Sequence, residues 1–161
     1  MTKKNNNKVA NKTIAANKKA FHDYNFEKQL EAGIVLEGWE IKSARAGKVQ
    51  LSDSYVIIKN NEAWLIGALI SPLISTCTHK PVNSTRTRKL LLHHKEINNL
   101  IGLTKQKGYT LIPQSMYWSK NKIKLQIALA KGKKTYDKRA SDKEKTWKIE
   151  KQRLLKYSTK T

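Results

Sequence analysis

The sequence predicts a mainly β protein: a small closed antiparallel barrel with short inserted helices and flexible basic tails at both ends. Two pairs of apolar runs of strand length are joined at Asn60-Asn61 and at Lys120-Asn121. Asn tolerates the positive φ that a tight hairpin requires, so each pair predicts a β-hairpin. Several short strands in 161 residues favour a closed barrel, because an open sheet would expose its edges.

The first half of the chain predicts a strand, a helix and a hairpin. The first twenty residues are rich in Lys and Asn and have little to bury, so order is expected to begin near Phe21. A strand then runs through Glu31 to a turn at Gly33, and a short helix over about 39–46 is stopped by Gly47. The first hairpin follows in "SDSYVIIKNNEAWLIGALIS".

The second half predicts a loop, a strand, a helix and the second hairpin. The loop is "SPLISTCTHKPVNS", with two prolines, and the strand is "TRTRKLLL", with Arg86 and Arg88 on a charged face. Apolar spacing of i, i+3 and i+4 from Ile97 predicts a helix at about 93–106, with Gly108 as its C-cap. The last hairpin alternates apolar residues from Ile123 to Leu129 on one face.

These elements divide the chain into three parts. We expect a flexible basic arm over 1–16, a barrel over 17–132 and a basic tail over 133–161. The oligonucleotide-binding (OB) type, a partly open Greek-key barrel, fits the number and order of strands best.

The charge of the chain indicates a polyanionic partner. The formal net charge is +21, and the first twenty residues hold six Lys and no acid, while residues 131–161 hold twelve basic and four acidic residues. Such arms favour nucleic acid. RNA is preferred over DNA because helix-turn-helix, basic-zipper and zinc-finger patterns are missing. No apolar run is long enough for a membrane span or a signal peptide, and the lone Cys77 allows no intrachain disulfide, so we expect a cytoplasmic protein.

Catalytic and metal sites find no support in the spacing of candidate residues. Cys77, His79, His93 and His94 lack the paired spacing of zinc ligands, so neither a metal nor a cofactor is expected. Three carboxylates, Glu31, Glu37 and Glu40, could serve acid–base chemistry, but no strand or helix period brings them together, and exposed charges on a β face explain them better. The sequence thus predicts a binding protein and not an enzyme.

The basic tail is helix-capable but poor in apolar surface. Ser141 and Glu144 have capping-box spacing, Glu144 precedes Lys148 by four residues, and Trp147 and Leu154 lie seven apart. A stripe one residue wide buries too little to order a long helix, so we expect a tail that is disordered when free and folds on a partner. An inert solvated tail is the alternative.

Three segments in order resemble the SsrA-binding protein (SmpB) family: "EAGIVLEGWEIKSARAGKVQLSDSYV", "TRTRKLLLHHKEI" and "ALAKGKKTYDKR". The resemblance runs from about Asn17 to the C-terminus. It implies an OB-type barrel that holds the tRNA-like domain of transfer-messenger RNA (tmRNA, or SsrA). With elongation factor Tu and GTP, the family delivers this RNA to stalled 70S ribosomes for trans-translation. The basic tail is implied to become helical in the empty mRNA channel near the decoding centre.

The resemblance also implies which residues bind RNA. By position these are Asn17, Glu31 and Leu91, and by charge the phosphate contacts are Lys18, Lys19, Arg45, Lys48, Arg86, Arg88 and Lys89. The tail residues implied to act at the decoding site are Tyr136, Asp137, Lys138, Arg139, Trp147, Leu154 and Leu155.

Two departures from the family pattern stand out. Tyr136 replaces a common His, which removes any cationic imidazole but leaves a ring that can stack on a base. Asn83-Ser84 replaces an acidic residue and a proline before "TRTRK". A ribosomal or general RNA-binding protein with basic arms, and an RNA-processing enzyme, remain the competing interpretations.

Overall fold

The computed structural model describes residues 12–74, 82–105 and 108–158, in which it has nine strands and four helices. The strands are β1 (Thr13–Ala16), β2 (Tyr24–Ile34), β3 (Val49–Gln50), β4 (Tyr55–Lys59), β5 (Glu62–Ile66), β6 (Leu69–Ile70), β7 (Arg88–Leu91), β8 (Tyr109–Ser119) and β9 (Lys122–Gly132). The helices are α1 (Lys18–Asp23), α2 (Gly38–Arg45), α3 (His94–Thr104) and α4 (Thr135–Ser158).

Six strands close into a ring. Their order is β8-β4-β5-β7-β2-β9, and β9 pairs again with β8, while β1 adds to β8 as a seventh strand. Every pairing in this sheet is antiparallel. The prediction of a mainly β, closed antiparallel barrel with short inserted helices is therefore confirmed, and the OB type is consistent with it.

Both predicted hairpins are present with the predicted turns. Asn60 and Asn61 have φ of 52° and 57°, and Lys120 and Asn121 have φ of 46° and 61°. Two consecutive residues with positive φ match the twist of antiparallel strands, so these turns fix the pairing of β4 with β5 and of β8 with β9.

The barrel core comes from alternate residues of the strands. Leu125, Ile127 and Leu129 of β9 are buried, as their spacing predicted. Helix α3 buries Ile97 and Leu100, and Leu100 belongs to the main core cluster. The helix therefore packs its apolar face against the barrel, with β8 among its contacts.

Order begins earlier in the chain than the sequence predicted. Thr13 to Ala16 form β1, which pairs with Tyr117, Met116 and Ser115 of β8, and α1 begins at Lys18, before the expected start at Phe21. The prediction was wrong for residues 13–20 because backbone pairing with a distant strand, which composition does not reveal, supplies the stabilisation. Residues 1–11 lie outside the described part of the chain.

Gly33 is a strand residue and not a turn. Strand β2 continues to Ile34, and Gly33 pairs with Leu91 on one side and Lys124 on the other. A Cβ on Gly33 would lie 3.1 Å from the Cβ of Leu91. The glycine therefore serves close side-chain approach between strands, which a sequence pattern cannot distinguish from a turn.

The helix boundaries were predicted in part. Helix α2 ends before Gly47, whose φ is 71°, as expected. Helix α3 ends at Thr104, short of the predicted C-cap, and Gly108 with φ of 89° leads into β8 instead. The predicted loop, 71–84, has no strand in its described residues after Ile70, and the strand after it begins at Arg88 instead of Thr85. Cys77 and His79 lie outside the described residues.

The C-terminal tail is one helix of 24 residues, α4. It begins at Thr135, so Ser141 lies inside the helix and the predicted capping box there is wrong; the Glu144–Lys148 pair is present at 2.7 Å. Nε2 of His22 on α1 lies 2.9 Å from Oδ1 of Asp142 and joins the helix to the barrel. That the tail loses this order in free solution stays a prediction. Among the described helices, none is long and apolar enough to cross a membrane.

Candidate nucleic-acid interface

Glu31 forms the centre of a hydrogen-bonded cluster on the outer face of the barrel. Strand β2 places it beside β9, where Lys124 donates to Oε1, and the Tyr117 hydroxyl donates to Oε2 from β8, the strand on the other side of β9. The hydrogen bonds from Lys124 and then Tyr117 hold the pKa of the Glu31 carboxyl below its usual value, against a smaller opposing effect of burial. Burial and then the Glu31 carboxylate raise the pKa of Tyr117.

The cluster leaves Glu31 ionised and still partly open to solvent. Its side chain is 44% exposed. Each carboxylate oxygen has more than one acceptor position, so Glu31 can also accept from a base amino group or a ribose 2′-OH. Tyr117 and Lys124 were missed by the sequence reasoning; the alternation of the second hairpin contained the signal, since it places Lys124 on the solvent face.

Uncharged polar side chains continue this surface beside Glu31. Gln126 Nε2 donates to Gln29 Oε1 at 2.8 Å across β9 and β2. A shallow cleft of about 470 Å³ runs between these glutamines and Ser115 of β8. Amide and hydroxyl groups both donate and accept, so this surface suits base edges and riboses better than phosphates alone.

Leu91 is an exposed apolar residue on the same side of the barrel. It ends β7 with 55% of its surface exposed, and it lines a cleft of about 690 Å³ together with Glu31, Lys89 and Lys124. The structure therefore brings two of the predicted RNA-binding residues, Glu31 and Leu91, to one site. An exposed leucine surrounded by polar groups can pack on a base or a sugar.

Asn17, to which the resemblance assigns a part in RNA binding, is buried, and that part stays a prediction. It is 1% exposed and caps α1 by accepting from the Ala20 N–H at 3.0 Å. Its amide donates to the carbonyls of Leu51 at 2.9 Å and Pro113 at 3.1 Å. Both amide protons are thus used inside the protein, and Asn17 joins α1 to the barrel.

Arg88 is also buried, which argues against the phosphate contact predicted for it. Its side chain and that of Glu40 are both 0% exposed, with Nε of Arg88 2.7 Å from Oε1 of Glu40. The guanidinium also donates to the carbonyls of Ala68 at 2.6 Å, Arg86 at 3.0 Å and Ser84 at 3.0 Å. Arg88 and Leu90 alternate toward the interior, which reverses the charged face predicted for this strand.

Arg86 completes this internal network. Its Nε and Nη2 donate to Glu40 at 3.0 and 2.5 Å, and its side chain is 24% exposed. Burial would raise the pKa of Glu40, but hydrogen bonds from Arg86, the Glu37 N–H and Arg88, with the Coulombic attraction of Arg88, leave that pKa lowered. The network therefore ties α2 to the loop before β7, and Arg86 has little capacity left for phosphate.

The remaining predicted cations are exposed but differ in their surroundings. Lys18, Lys48 and Arg45 are on the surface, and Lys19 pairs with Asp53 at 2.7 Å, with both side chains largely exposed. Lys89 pairs with Glu62 at the edge of the Leu91 cleft. Such surface pairs exchange readily with phosphate, because each is worth little in water.

The tail residues lie on α4, with large apolar side chains in water. Trp147 is 69% exposed, Leu154 70% and Leu155 57%, and Arg139 is exposed. The side chains of Tyr136, Asp137 and Lys138 lie outside the described part of the structure. Among the described residues no group of three metal-ligating side chains occurs.

Comparison with known proteins decides the family. The family model for "SmpB protein" matches residues 14–157, from β1 to the end of α4. The chain belongs to the SmpB family. Two relatives, each called SsrA-binding protein, are 55% identical over 148 residues in Stenotrophomonas maltophilia (strain K279a) and 58% identical over 144 residues in Thiobacillus denitrificans (strain ATCC 25259 / T1).

These matches span nearly whole proteins. The first covers 92% of this SmpB-family chain and 89% of the relative, and the second covers 89% and 97%. A solved structure described as "tmRNA-SmpB: a journey to the center of the bacterial ribosome" matches with a TM-score of 0.63 and 39% identity, over 75% of this chain and 85% of the other. The resemblance inferred from three sequence segments is confirmed.

Proposed function

We propose that this SmpB-family protein is an RNA-binding adaptor without a catalytic step. The barrel binds the tRNA-like domain of tmRNA and delivers it to stalled ribosomes for trans-translation, so that the nascent chain is tagged for degradation. The family match from β1 to the end of α4 carries this proposal, because it includes both the barrel surface and the tail. Work on ribosomes would place the protein in the cytoplasm.

The barrel surface supports the RNA-binding part. Glu31, Leu91 and Lys124 line one cleft, with Lys89 at its edge, and uncharged donors and acceptors continue beside it. Cations supply attraction to phosphates without sequence preference, while the polar groups and the exposed leucine can fit one folded RNA. Elongation factor Tu with GTP would join the complex through the charged tmRNA rather than through a dedicated surface of this chain.

The tail supports the ribosomal part. Helix α4 extends from the barrel with a basic surface and with Trp147, Leu154 and Leu155 exposed. A helix of about 36 Å (24 residues at about 1.5 Å each) can reach along a channel left empty by a missing messenger. We propose that it occupies the mRNA channel near the decoding centre, with Tyr136 to Arg139 at the end next to the barrel.

Two assays on one truncated protein test this division of labour. A chain ending after Lys134 is expected to bind free tmRNA almost as tightly as the full chain but to fail in tagging on stalled ribosomes. Replacing Lys138 and Arg139 together by Ala should reproduce much of that failure, by removing two charge-assisted contacts of about 1.5 to 3 kcal/mol each.

The same assays expose the competing interpretation. A truncated chain that still tags stalled products would refute the proposed role of the tail. Ribosomal RNA bound as tightly as tmRNA would favour a general RNA-binding protein. The matched control is Lys151→Ala with Arg153→Ala, which removes the same charge near the far end of α4 and should leave more of the tagging activity.

A further inference from the structure

A second cleft opens beside the Leu91 cleft and is unlike it in character. It has a volume of about 500 Å³ and lies between the end of β2, α2 and the turn of the β8–β9 hairpin. Its walls are mainly apolar, and the side chains that matter most here are Val35, Ile41, Leu91, Trp118 and Ile123. We call it the Trp118 cleft.

Arg45 lies over the aromatic ring in this cleft. Its guanidinium carbon is 5.7 Å from the centroid of Trp118, a cation–π contact. The sequence suggested that Arg45 binds a phosphate, but in the structure its planar group faces an indole ring. Planar guanidinium and indole groups are both stacking partners for nucleobases.

The charged side chains that line the Trp118 cleft have one sign, although one of them, Lys124, is paired with Glu31. Arg45, Lys122 and Lys124 line it, and none of the described lining residues is acidic. The Leu91 cleft, in contrast, contains three glutamates, Glu31, Glu62 and Glu96. An apolar, aromatic cleft with a cationic rim is complementary to a nucleobase whose flanking phosphates remain at the rim.

The two clefts are continuous. Gly33, Leu91 and Lys124 line both of them, and Leu91 projects between them with 55% of its surface exposed. Any RNA that contacts Leu91 in the proposed interface therefore also reaches the entrance of the Trp118 cleft. Half-exposed Val35 (46%) extends the same apolar surface.

We propose that the Trp118 cleft receives one unstacked nucleobase of the bound RNA. The base packs against Trp118 and Leu91 with the Arg45 guanidinium alongside, and its phosphates lie near Lys122. This inference rests on the proposed function, because it takes the RNA to be the one that occupies the Leu91 cleft. It assigns to Trp118 and Arg45 a stacking role that attraction to phosphate alone would not require.

A chain with Trp118 as its single tryptophan tests the proposal directly. Trp39, Trp64 and Trp147 are replaced by Phe, and tmRNA is titrated into the protein while indole emission is followed. Stacking on a base is expected to quench the emission at the same RNA concentrations at which binding is seen by an independent assay. Unchanged emission at saturation would overturn the inference.

Affinity measurements on the otherwise natural chain provide the second arm. Trp118→Ala is expected to weaken tmRNA binding by about ten- to a hundredfold with an unchanged salt dependence, since stacking on one base is lost and no charge is removed. Trp118→Phe should retain most of the affinity. Trp147→Ala, which removes an indole from α4, is the matched control and should bind free tmRNA normally. Trp118→Ala binding as tightly as the natural chain would refute the proposal.

Two further outcomes separate the inference from the proposed function. If the natural chain binds another RNA as tightly as tmRNA, and that RNA quenches the emission of the single-tryptophan chain, the proposed function fails and the stacking cleft stands. If emission responds to an acidic peptide, with polyglutamate as probe, and not to RNA, the cleft is a protein-binding site and the inference is wrong. Should Trp118→Ala fail to fold, the quenching titration and the Phe variant still decide.

Discussion

Replacing Arg88 by Met tests whether this arginine stabilises the barrel or binds RNA. The substitution removes a charged side chain that is 0% exposed and leaves Glu40, also 0% exposed, with Arg86 as the remaining one of its two cationic partners in the described part of the chain. It also leaves the carbonyls of Ala68 and Ser84 without the guanidinium donors. Breaking a buried ion pair at one partner costs about 3–5 kcal/mol, a large part of the 5–15 kcal/mol that stabilises a typical domain.

At this chain length each kcal/mol of lost stability lowers the melting temperature by about 2–4 °C. We therefore expect the melting temperature of the variant to fall by about 6–20 °C. The measurement is thermal and urea unfolding followed by circular dichroism, together with tmRNA binding corrected for the folded fraction. Because Arg88 touches no solvent, the folded variant should keep the salt dependence of the natural chain. Loss of a phosphate contact would instead reduce the slope of the logarithm of the binding constant against the logarithm of salt concentration by about one.

Two variants make this result interpretable. Arg88→Met with Glu40→Met removes both buried charges and should recover much of the lost stability, because Arg86 is partly exposed and can turn to water. Lys48 is an exposed cation, so Lys48→Ala should show the reverse pattern: unchanged stability and a weaker salt dependence of tmRNA binding. Unchanged unfolding of Arg88→Met, combined with a reduced slope, would refute the structural role argued here.

Three further predictions concern the interface and the tail. Gly33→Ala places a Cβ 3.1 Å from the Cβ of Leu91, so the leucine must shift. The affinity for tmRNA should therefore fall by more free energy than the stability of the barrel. Equal losses in binding and unfolding assays would contradict this. Carbon-13 NMR of the Glu31 carboxyl should show a pKa below its usual value of 4.5. Because the pKa is lowered in the folded state, the carboxylate stabilises the fold above the unfolded-state pKa. This stabilisation is lost as the pH falls through the folded-state pKa. A midpoint at or above 4.5 would count against the hydrogen-bonded cluster. His22→Ala removes the 2.9 Å contact that joins α1 to α4. In a chain that keeps Trp147 as its single tryptophan, fluorescence anisotropy should decrease, and an unchanged value would mean that other contacts hold the helix.

The elements predicted correctly are those whose signal is local. The Asn60-Asn61 and Lys120-Asn121 turns need positive φ at two consecutive residues, and the neighbouring apolar runs supply the strands. Helix α3 follows from the i, i+3, i+4 spacing that begins at Ile97, and the core face of β9 from simple alternation. Each property depends on residues within one turn or one strand, so sequence order is enough.

The roles of several single residues depend on long-range contacts that the sequence does not show. In the sequence Asn17 is a polar residue next to two lysines, and nothing there indicates burial. In the structure its side-chain amide donates a hydrogen bond to the carbonyl of Pro113, 96 positions away. Gly33 reads as a turn, yet it admits Leu91 from another strand. Nothing near these residues in sequence identifies the partners that decide their roles.

The sequence by itself determined the hairpins, the closed class of fold, the basic ends and, through three signature segments, the family. The tertiary structure decided which cations face water and which are internal. Arg88 and Arg45 both lie in elements that the sequence predicts, but Arg88 pairs with Glu40 inside the protein, while Arg45 lies over Trp118 at the surface. The physical reason is that burial of a charge depends on whether an opposite charge and carbonyl acceptors meet it in space. Strand pairing and helix packing bring such partners together from distant positions in the sequence. The residues next to a given arginine in sequence therefore do not indicate which partners it will meet.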